Sequence, residues 1–301
     1  MKTERLQASA LRADPESEEF PMKKTRQLIG ILILTVLAVR AAGIPADRAL
    51  ADKTERGTVS HYPEAGNRIR TDDMLTIDYS HMEQGYVMVR AEKTDRRMQL
   101  VVDRGTDSLH YEINGEGKPE TIPLQMGSGN YRFTLWIAQN RGSSRCVKAG
   151  TVTLSCAMKD ETSCFLYPNQ YVSYSSDDLL VQKAQELCEG LADRKEIAET
   201  ICQYVRDHFD YDWIKANQIQ ANGLKGILPD IAGTWETKKG ICQDKSALLC
   251  AMLRCMGIPA KLAIGEADGK RHAWVVMILD GKTVRFDPTA KAGTYKAERY
   301  Y

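Results

Sequence analysis

The sequence lacks an excess of charge of either sign, and it lacks several short motifs that mark common functional classes. Its 301 residues include 41 Lys and Arg against 40 Asp and Glu, so the formal net charge of +1 gives no electrostatic footprint for nucleic acid. It contains no glycine-rich phosphate loop and no Asp-x-Asp-x-Asp-Gly loop of the calcium-binding type. We therefore expect no nucleic-acid partner, no nucleotide cofactor and no calcium site.

The eight cysteines lack the spacings of metal and redox sites. Cys-x-x-Cys is absent, and no cysteine or histidine ligands lie about two to four residues apart, as zinc sites usually require. Cys146, Cys156 and Cys164 are near enough in sequence to pair among themselves in an oxidising compartment. The cysteines on helical patterns are predicted to be small buried apolar groups, and these are Cys188, Cys202, Cys250 and Cys255. We expect neither a metal nor a cofactor.

The long apolar run near the start is too short for an ordinary membrane span. Residues 28–39 form it, directly after the basic segment 22–26, whereas a span needs roughly 20 residues. Small residues follow, so residues 22–46 resemble a secretory signal peptide, or a membrane anchor if they are not cleaved. We expect residues 1–21 to be an over-extended start, with Met22 as the initiator. The protein is then secreted or held at the extracytoplasmic cell surface.

The pattern changes twice before residue 167. Residues 47–74 are polar, with charges, glycines and prolines and no clear period, which predicts a linker. Residues 75–166 form short alternating runs between turn residues, which predicts a small antiparallel β-domain of the sandwich type. The predicted strands are 86–90, 98–102, 109–113, 131–137 and 150–154.

Residues 167–301 show a helical period followed by strands, which predicts a second domain of the α+β class. Asp193 is an N-cap for the second of its helices, and Gly257 stops the third. The predicted helices span about 179–191, 194–209 and 242–256, and the predicted strands span 261–265, 273–279 and 283–286. A long loop-rich stretch separates the second helix from the third, and such loops are more often functional than idle.

Cys242 lies where a polar loop turns into the apolar third helix. A thiol at a helix N-terminus feels the positive end of the helix dipole and unpaired N–H groups, and both favour the thiolate that attacks carbonyl carbon. His272 and Asp287 follow, each at or beside a strand, so adjacent strands can bring imidazole and carboxylate together. The three residues predict a catalytic triad in which His272 moves the thiol proton and Asp287 orients the ring.

Three motifs in chain order carry a family resemblance, namely Gly240-Ile241-Cys242-Gln243-Asp244, His272-Ala273-Trp274 and Asp287-Pro288-Thr289. With them, residues from about 179 to 290 resemble the bacterial transglutaminase-like superfamily. The resemblance implies a papain-like α+β fold, with the cysteine helix packed on an antiparallel sheet, and a thioester acyl-enzyme. It leaves the acceptor open, since members cross-link glutamine to lysine, hydrolyse peptide or amide bonds, or have lost activity.

Acyl transfer also requires donors for the oxyanion. The backbone N–H of Cys242 is the first, because it lies at a helix N-terminus. Resemblance to transglutaminases proper implies that an aromatic side chain upstream of the cysteine helps. We select Tyr211, with Trp213 and Trp235 as alternatives, and a purely structural role in the core is the competing interpretation for each of the three.

The sequence therefore predicts an exported, thiol-dependent acyl-transfer enzyme, either a peptide or amide hydrolase or a transglutaminase-like enzyme. Its expected partner is a protein or peptide substrate, with a cell-wall peptide as one candidate. Membrane contact is expected only through an uncleaved N-terminal anchor. The alternatives are a catalytically silent binding or scaffolding module of the cell surface, and a disulfide-stabilised adhesin.

Overall fold

The computed structural model describes residues 18–19, 66–224, 226–289 and 294–301. The predicted signal peptide or anchor at 22–46 lies outside these residues, as does most of the predicted linker at 47–74. Among the residues described, no helix has the length and apolar character needed to cross a membrane. The described elements form a β-domain followed by a mixed α+β domain.

Alternating apolar residues build the first domain as two four-stranded antiparallel sheets. The first nine strands of the chain are β1 (Glu18–Glu19), β2 (Ile69–Asp72), β3 (Leu75–Asp78), β4 (Tyr86–Ala91), β5 (Met98–Arg104), β6 (Asp107–Ile113), β7 (Glu120–Pro123), β8 (Gly129–Ala138) and β9 (Cys146–Cys156). One sheet has the order β2-β3-β4-β7 and the other β6-β5-β8-β9. Leu75 and Val87 of the first sheet share one apolar core with Leu100 and Phe133 of the second. The predicted sandwich is confirmed.

The sequence predictions miss β2, β3 and β7, and the predicted linker at 47–74 extends too far. β2 lies inside that range. Its four residues are all exposed, so no apolar alternation marks it, and it forms by backbone pairing with β3. β7 has four residues and ends at Pro123, which cannot donate a ladder hydrogen bond. Strands of this kind are set by their partners more than by their own residues.

In the part of the chain described, five α-helices follow the sandwich: α1 (Leu179–Leu187), α2 (Arg194–His208), α3 (Trp213–Ala221), α4 (Ile231–Thr237) and α5 (Cys242–Cys255). Asp193 caps α2 as predicted, with its side chain accepting from the Glu196 N–H at 2.8 Å. α1 ends before residue 191, because Gly190 takes a left-handed φ of 77°. The stretch predicted as a loop contains α3 and α4. α3 buries no side chain, so it shows no apolar face in the sequence.

The cysteine-bearing helix α5 packs on an antiparallel sheet, as the family resemblance implies. The later strands are β10 (Asp210–Tyr211), β11 (Lys239–Gly240), β12 (Ala260–Ala267), β13 (Lys270–Leu279), β14 (Lys282–Phe286) and β15 (Tyr295–Tyr300). The main sheet has the order β1-β14-β13-β12-β15, with only β1 parallel to its neighbour in the part described. Leu248 and Met252 of α5 share the core with Leu262 and Val275.

Arg254, in the last turn of α5, is a fully buried charged side chain. It donates to the main-chain carbonyls of Ala260 at 2.8 Å and of Tyr167 and Tyr301 at 2.7 Å each. Burial lowers the pKa of the guanidinium from its ordinary value. The three carbonyls belong to the segment after the sandwich, the start of β12 and the residue after β15. One side chain therefore ties three distant segments to the cysteine helix.

All eight cysteines are free thiols, so the pairing considered for Cys146, Cys156 and Cys164 is not formed. The four cysteines predicted to be small buried groups are buried, and these are Cys188, Cys202, Cys250 and Cys255. Cys146 and Cys242 are half-buried. Among the residues described, no three His, Cys, Asp or Glu side chains are grouped so as to hold a metal ion.

Candidate active site

Cys242 is the first residue of α5, and the packing before it fixes where that helix starts. Pairing of β10 with β11 places Gly240 opposite Tyr211. A Cβ on Gly240 would lie only 2.8 Å from Thr234 Oγ1, so a larger residue cannot fit against α4 without a shift. The half-buried Cys242 side chain thus stands at a helix N-terminus, where unpaired N–H groups and the dipole favour negative charge.

A fully buried carboxylate, that of Asp244, holds the first turn of α5. It accepts from the N–H of Ile241 at 3.1 Å and of Asp230 at 3.0 Å. Its third partner is Lys215 of α3, whose Nζ lies 2.6 Å from Oδ2. Asp244 therefore joins α3 and the loop before α4 to the cysteine helix, and this fixes the position of the neighbouring thiol.

His272 and Asp287 meet as the neighbouring strands predict. His272 lies in β13 and Asp287 directly follows β14, its antiparallel neighbour. Nε2 of His272 lies 2.6 Å from Oδ2 of Asp287, and the two side chains are 17% and 4% exposed. Cys242 is the other side chain whose hydrogen bonding and charge act on the pKa of the His272 ring. Ser246 Oγ donates to the Ala273 carbonyl at 3.2 Å and attaches α5 to β13 beside this contact.

The surroundings of His272 favour its protonated, imidazolium form. Burial lowers the pKa of His272, but hydrogen bonds and charges of Asp287 and Cys242 outweigh burial and raise the pKa to about 10. Burial also raises the pKa of Asp287, while hydrogen bonds from His272 and Thr289 and the charge of His272 hold it below its ordinary value. At neutral pH His272 is therefore protonated.

Three further residues hold Asp287, and sequence reasoning did not single them out. The N–H and Oγ1 of Thr289 each donate to Oδ1 at 2.8 Å, and the Tyr295 hydroxyl donates to Oδ2 at 2.8 Å. Arg206 of α2 donates to the Asp287 main-chain carbonyl at 3.0 Å. Thr289 stands in the Asp-Pro-Thr motif, which is a usable signal. Tyr295 arrives on β15, which carries no apolar alternation, and nothing local marks it.

Tyr211 pairs with Gly240, two residues before Cys242. Burial, followed by the charges of Cys242 and Asp244, raises the pKa of Tyr211 to about 12, so its hydroxyl stays a hydrogen-bond donor at neutral pH. Trp213 is 70% exposed, and its ring lies 4.6 Å from that of Tyr211. Trp235 packs against Phe209, with ring centroids 5.8 Å apart.

Comparison with known families places this site in a defined segment. Residues 181–288 match the transglutaminase-like superfamily. This range runs from α1 to the residue after Asp287 and contains Cys242 and His272, so the resemblance carried by the three motifs is confirmed. A comparison with curated protein sequences finds no match.

Three solved structures show similarity at low sequence identity. A protein from Cytophaga hutchinsonii, proposed to be a cysteine protease, is 12% identical, with a TM-score of 0.37, over 68% of this chain and 74% of its own. A proposed protease from Parabacteroides distasonis is 13% identical, with a TM-score of 0.28, over 66% of this chain and 38% of its own. Red sea bream transglutaminase is 13% identical, with a TM-score of 0.24, over 68% of this chain and 48% of its own.

Proposed function

Residues 181–288 form a transglutaminase-like domain, and from this premise we propose that the protein is a cysteine-dependent acyl-transfer enzyme. The observation that supports the proposal is the hydrogen bond between His272 and Asp287, with Cys242 at the start of α5 among the groups that raise the pKa of His272. Cys242 is the nucleophile, His272 the acid and base, and Asp287 the group that orients the ring. A structural cysteine requires no such partners.

The proposed reaction passes through a thioester. The Cys242 thiolate donates an electron pair to the carbonyl carbon of a peptide or amide bond, and the C–N bond breaks as His272 gives its proton to the departing amine. Water or a second amine then attacks the thioester and gives a proton to His272, while Cys242 departs as the thiolate. Attack by water is hydrolysis, and attack by an amine forms a new amide.

Two donors are available for the oxyanion in this proposal. The N–H of Cys242 is at the helix N-terminus and has no partner in the preceding turn of a helix. The Tyr211 hydroxyl is the second, because it is neutral and its electrostatic neighbours include Cys242. Both groups are held in place by the β10–β11 pair, which joins Tyr211 to Gly240.

Selective alkylation with iodoacetamide near pH 7 tests the activated thiol. We expect Cys242 to react about 100-fold faster than Cys146, the other half-buried thiol, because only Cys242 has an imidazolium beside it. His272→Ala should remove most of that advantage, whereas His110→Ala, at an exposed histidine of the sandwich, should leave it intact. Modification is read at each cysteine by peptide mass spectrometry. Equal labelling of both thiols, indifferent to His272, would favour the catalytically silent module.

The acceptor is tested by competition between water and an amine. The full chain is incubated with a glutamine-rich protein and a fluorescent primary amine, and with the same protein alone. Amine incorporation that is lost in Cys242→Ala indicates cross-linking, and new peptide termini or released ammonia without incorporation indicate hydrolysis.

We also propose that the enzyme acts outside the cell on a protein or a cell-wall peptide. The support is the basic and apolar pattern of residues 22–46. Cell fractionation checks it: a chain lacking residues 22–46 should remain inside the cell, while the complete chain is recovered outside the cytoplasm. Equal distribution of the two chains would contradict export.

A further inference from the structure

A groove that the proposed chemistry does not use opens beside the nucleophile. Ile241 and Gln243, on either side of Cys242, line it together with Arg271, which precedes His272. Its volume is about 710 Å³, within the range of cavities that bind small molecules and peptide side chains. The groove is therefore lined by the chain neighbours of Cys242 and lies close to it.

One wall of the groove is apolar and only loosely covered. Ile219 at the end of α3, Leu224 and Ile264 of β12 belong to this wall. Leu224 is 53% exposed, and Trp213 and Ile214, at the start of α3 and outside the lining of the groove, are 70% and 73% exposed. Exposed large apolar groups gathered in one segment mark a surface that another molecule covers.

The opposite rim is cationic. Arg271 and Arg299 line the groove, and no acidic residue is among its lining residues in the part of the chain described. Arg271 does hold a carboxylate, that of Glu298 at 2.5 Å, and the two side chains are 64% and 45% exposed. An ion pair this exposed contributes little free energy, so a substrate carboxylate can replace Glu298 at small cost.

We infer that this groove, named the arginine groove (Ile219, Leu224, Ile264, Arg271 and Arg299), binds a peptide segment in which an acidic residue adjoins a large apolar residue. The apolar wall takes the large side chain, and the planar guanidinium groups take the carboxylate through paired hydrogen bonds. The inference rests on the proposed acyl transfer at Cys242 and adds the substrate class: acidic peptides are preferred over neutral or basic ones.

Protection of Cys242 from iodoacetamide tests the arginine groove with the full chain. The probes are two blocked tetrapeptides, acetyl-Ala-Leu-Glu-Ala-amide and acetyl-Ala-Leu-Gln-Ala-amide, which differ only in charge. We expect the Glu peptide to halve the rate of Cys242 labelling at about fivefold lower concentration than the Gln peptide, with Cys146 as internal reference. The ratio of the two concentrations should fall to about one in the double variant R271Q/R299Q. It should stay unchanged in Arg132→Gln, an exposed arginine of the sandwich.

Charge reversal provides a second variant. R271E/R299E should prefer a Leu-Lys peptide over the Leu-Glu peptide. Equal protection by the Glu and Gln peptides, a preference that survives in R271Q/R299Q, or no protection by either peptide would each overturn the inference. These outcomes are distinct from failure of the proposed function, which shows without any peptide, as a Cys242 that reacts no faster than Cys146 and does not respond to His272→Ala.

Discussion

The two domains bury different kinds of side chain. Among the described residues, the buried charged residue of the sandwich is Asp78, whereas the second domain buries Asp244, Lys245, Arg254 and Asp287. Burying charge costs free energy unless partners compensate it, so stability alone does not favour such a core. All four lie on or beside α5. The difference shows that specific polar partners hold the core around the cysteine helix, whereas the sandwich core is almost entirely apolar.

The largest expected effect tests whether the buried charge of the second domain is indispensable. Arg254→Met leaves three buried carbonyls without their donor, and we expect the free energy of unfolding to fall by about 3–5 kcal/mol in urea denaturation. The matched sandwich variant, Leu100→Ala, should lose about 2–5 kcal/mol by leaving a cavity. Only Arg254→Met should change the Cys242 labelling rate in the folded protein. If Arg254→Met leaves the free energy of unfolding unchanged, the buried charge of the second domain is not required for its stability.

The stability lost in Asp287→Asn should depend on pH, because Asp287 and His272 of the second domain form a charge pair. The raised pKa of His272, about 10 against an ordinary 6.5, contributes stability that is complete below pH 6.5 and is lost as pH rises through 10. The lowered pKa of Asp287 stabilises the folded protein at pH values above the ordinary pKa of an aspartate. This stabilisation is lost as the pH falls through the pKa of Asp287 in the folded protein. We therefore expect Asp287→Asn to cost about 1–3 kcal/mol near pH 6 and much less above pH 10. A loss that is the same at both pH values would contradict the coupling. Asp103→Asn in the sandwich is the control.

Tyr211→Phe separates alkylation from acyl transfer. Alkylation by iodoacetamide forms no oxyanion, so its rate at Cys242 should change little. Acylation by an amide or ester substrate should slow about 10-fold to 100-fold, because one donor to the oxyanion is lost. Stopped-flow or mass-spectrometric measurement of the thioester supplies the second rate. Equal effects on the two reactions would assign Tyr211 to packing, and this is the competing interpretation from the sequence.

The smallest expected effects concern two glycines. Gly240→Ala forces Thr234 and Asp244 to move and should cost about 1–2 kcal/mol. Gly105→Ala, at a sandwich turn with φ of 61° and open space for a Cβ, should cost about 1 kcal/mol through backbone strain alone. Thermal unfolding gives both values. The labelling rate of Cys242 should change in Gly240→Ala only. A change in both variants would contradict the expectation that the sandwich does not affect Cys242.

The elements that could be predicted from the sequence are those whose own residues show a strand or helix pattern of apolar side chains. The long strands of the sandwich and α5 alternate or repeat strongly, and the order Cys242, His272, Asp287 is readable because each motif is local. β15 was missed because half of its residues are exposed and charged. Tyr295 of β15 and Lys215 of α3 were also missed. Tyr295 contacts Asp287 and Lys215 contacts Asp244, and both contacts join elements that come together only in the folded chain.

Arg254 also sets an order of events during synthesis. Its guanidinium needs the carbonyl of Tyr301, which leaves the ribosome after every other element described here. A growing chain can complete the sandwich early, because all its strands lie before residue 157. The cysteine helix, in contrast, cannot be fully seated until residue 301 has been added. The helix that carries Cys242 is therefore seated later than the sandwich, after β15 has been synthesised.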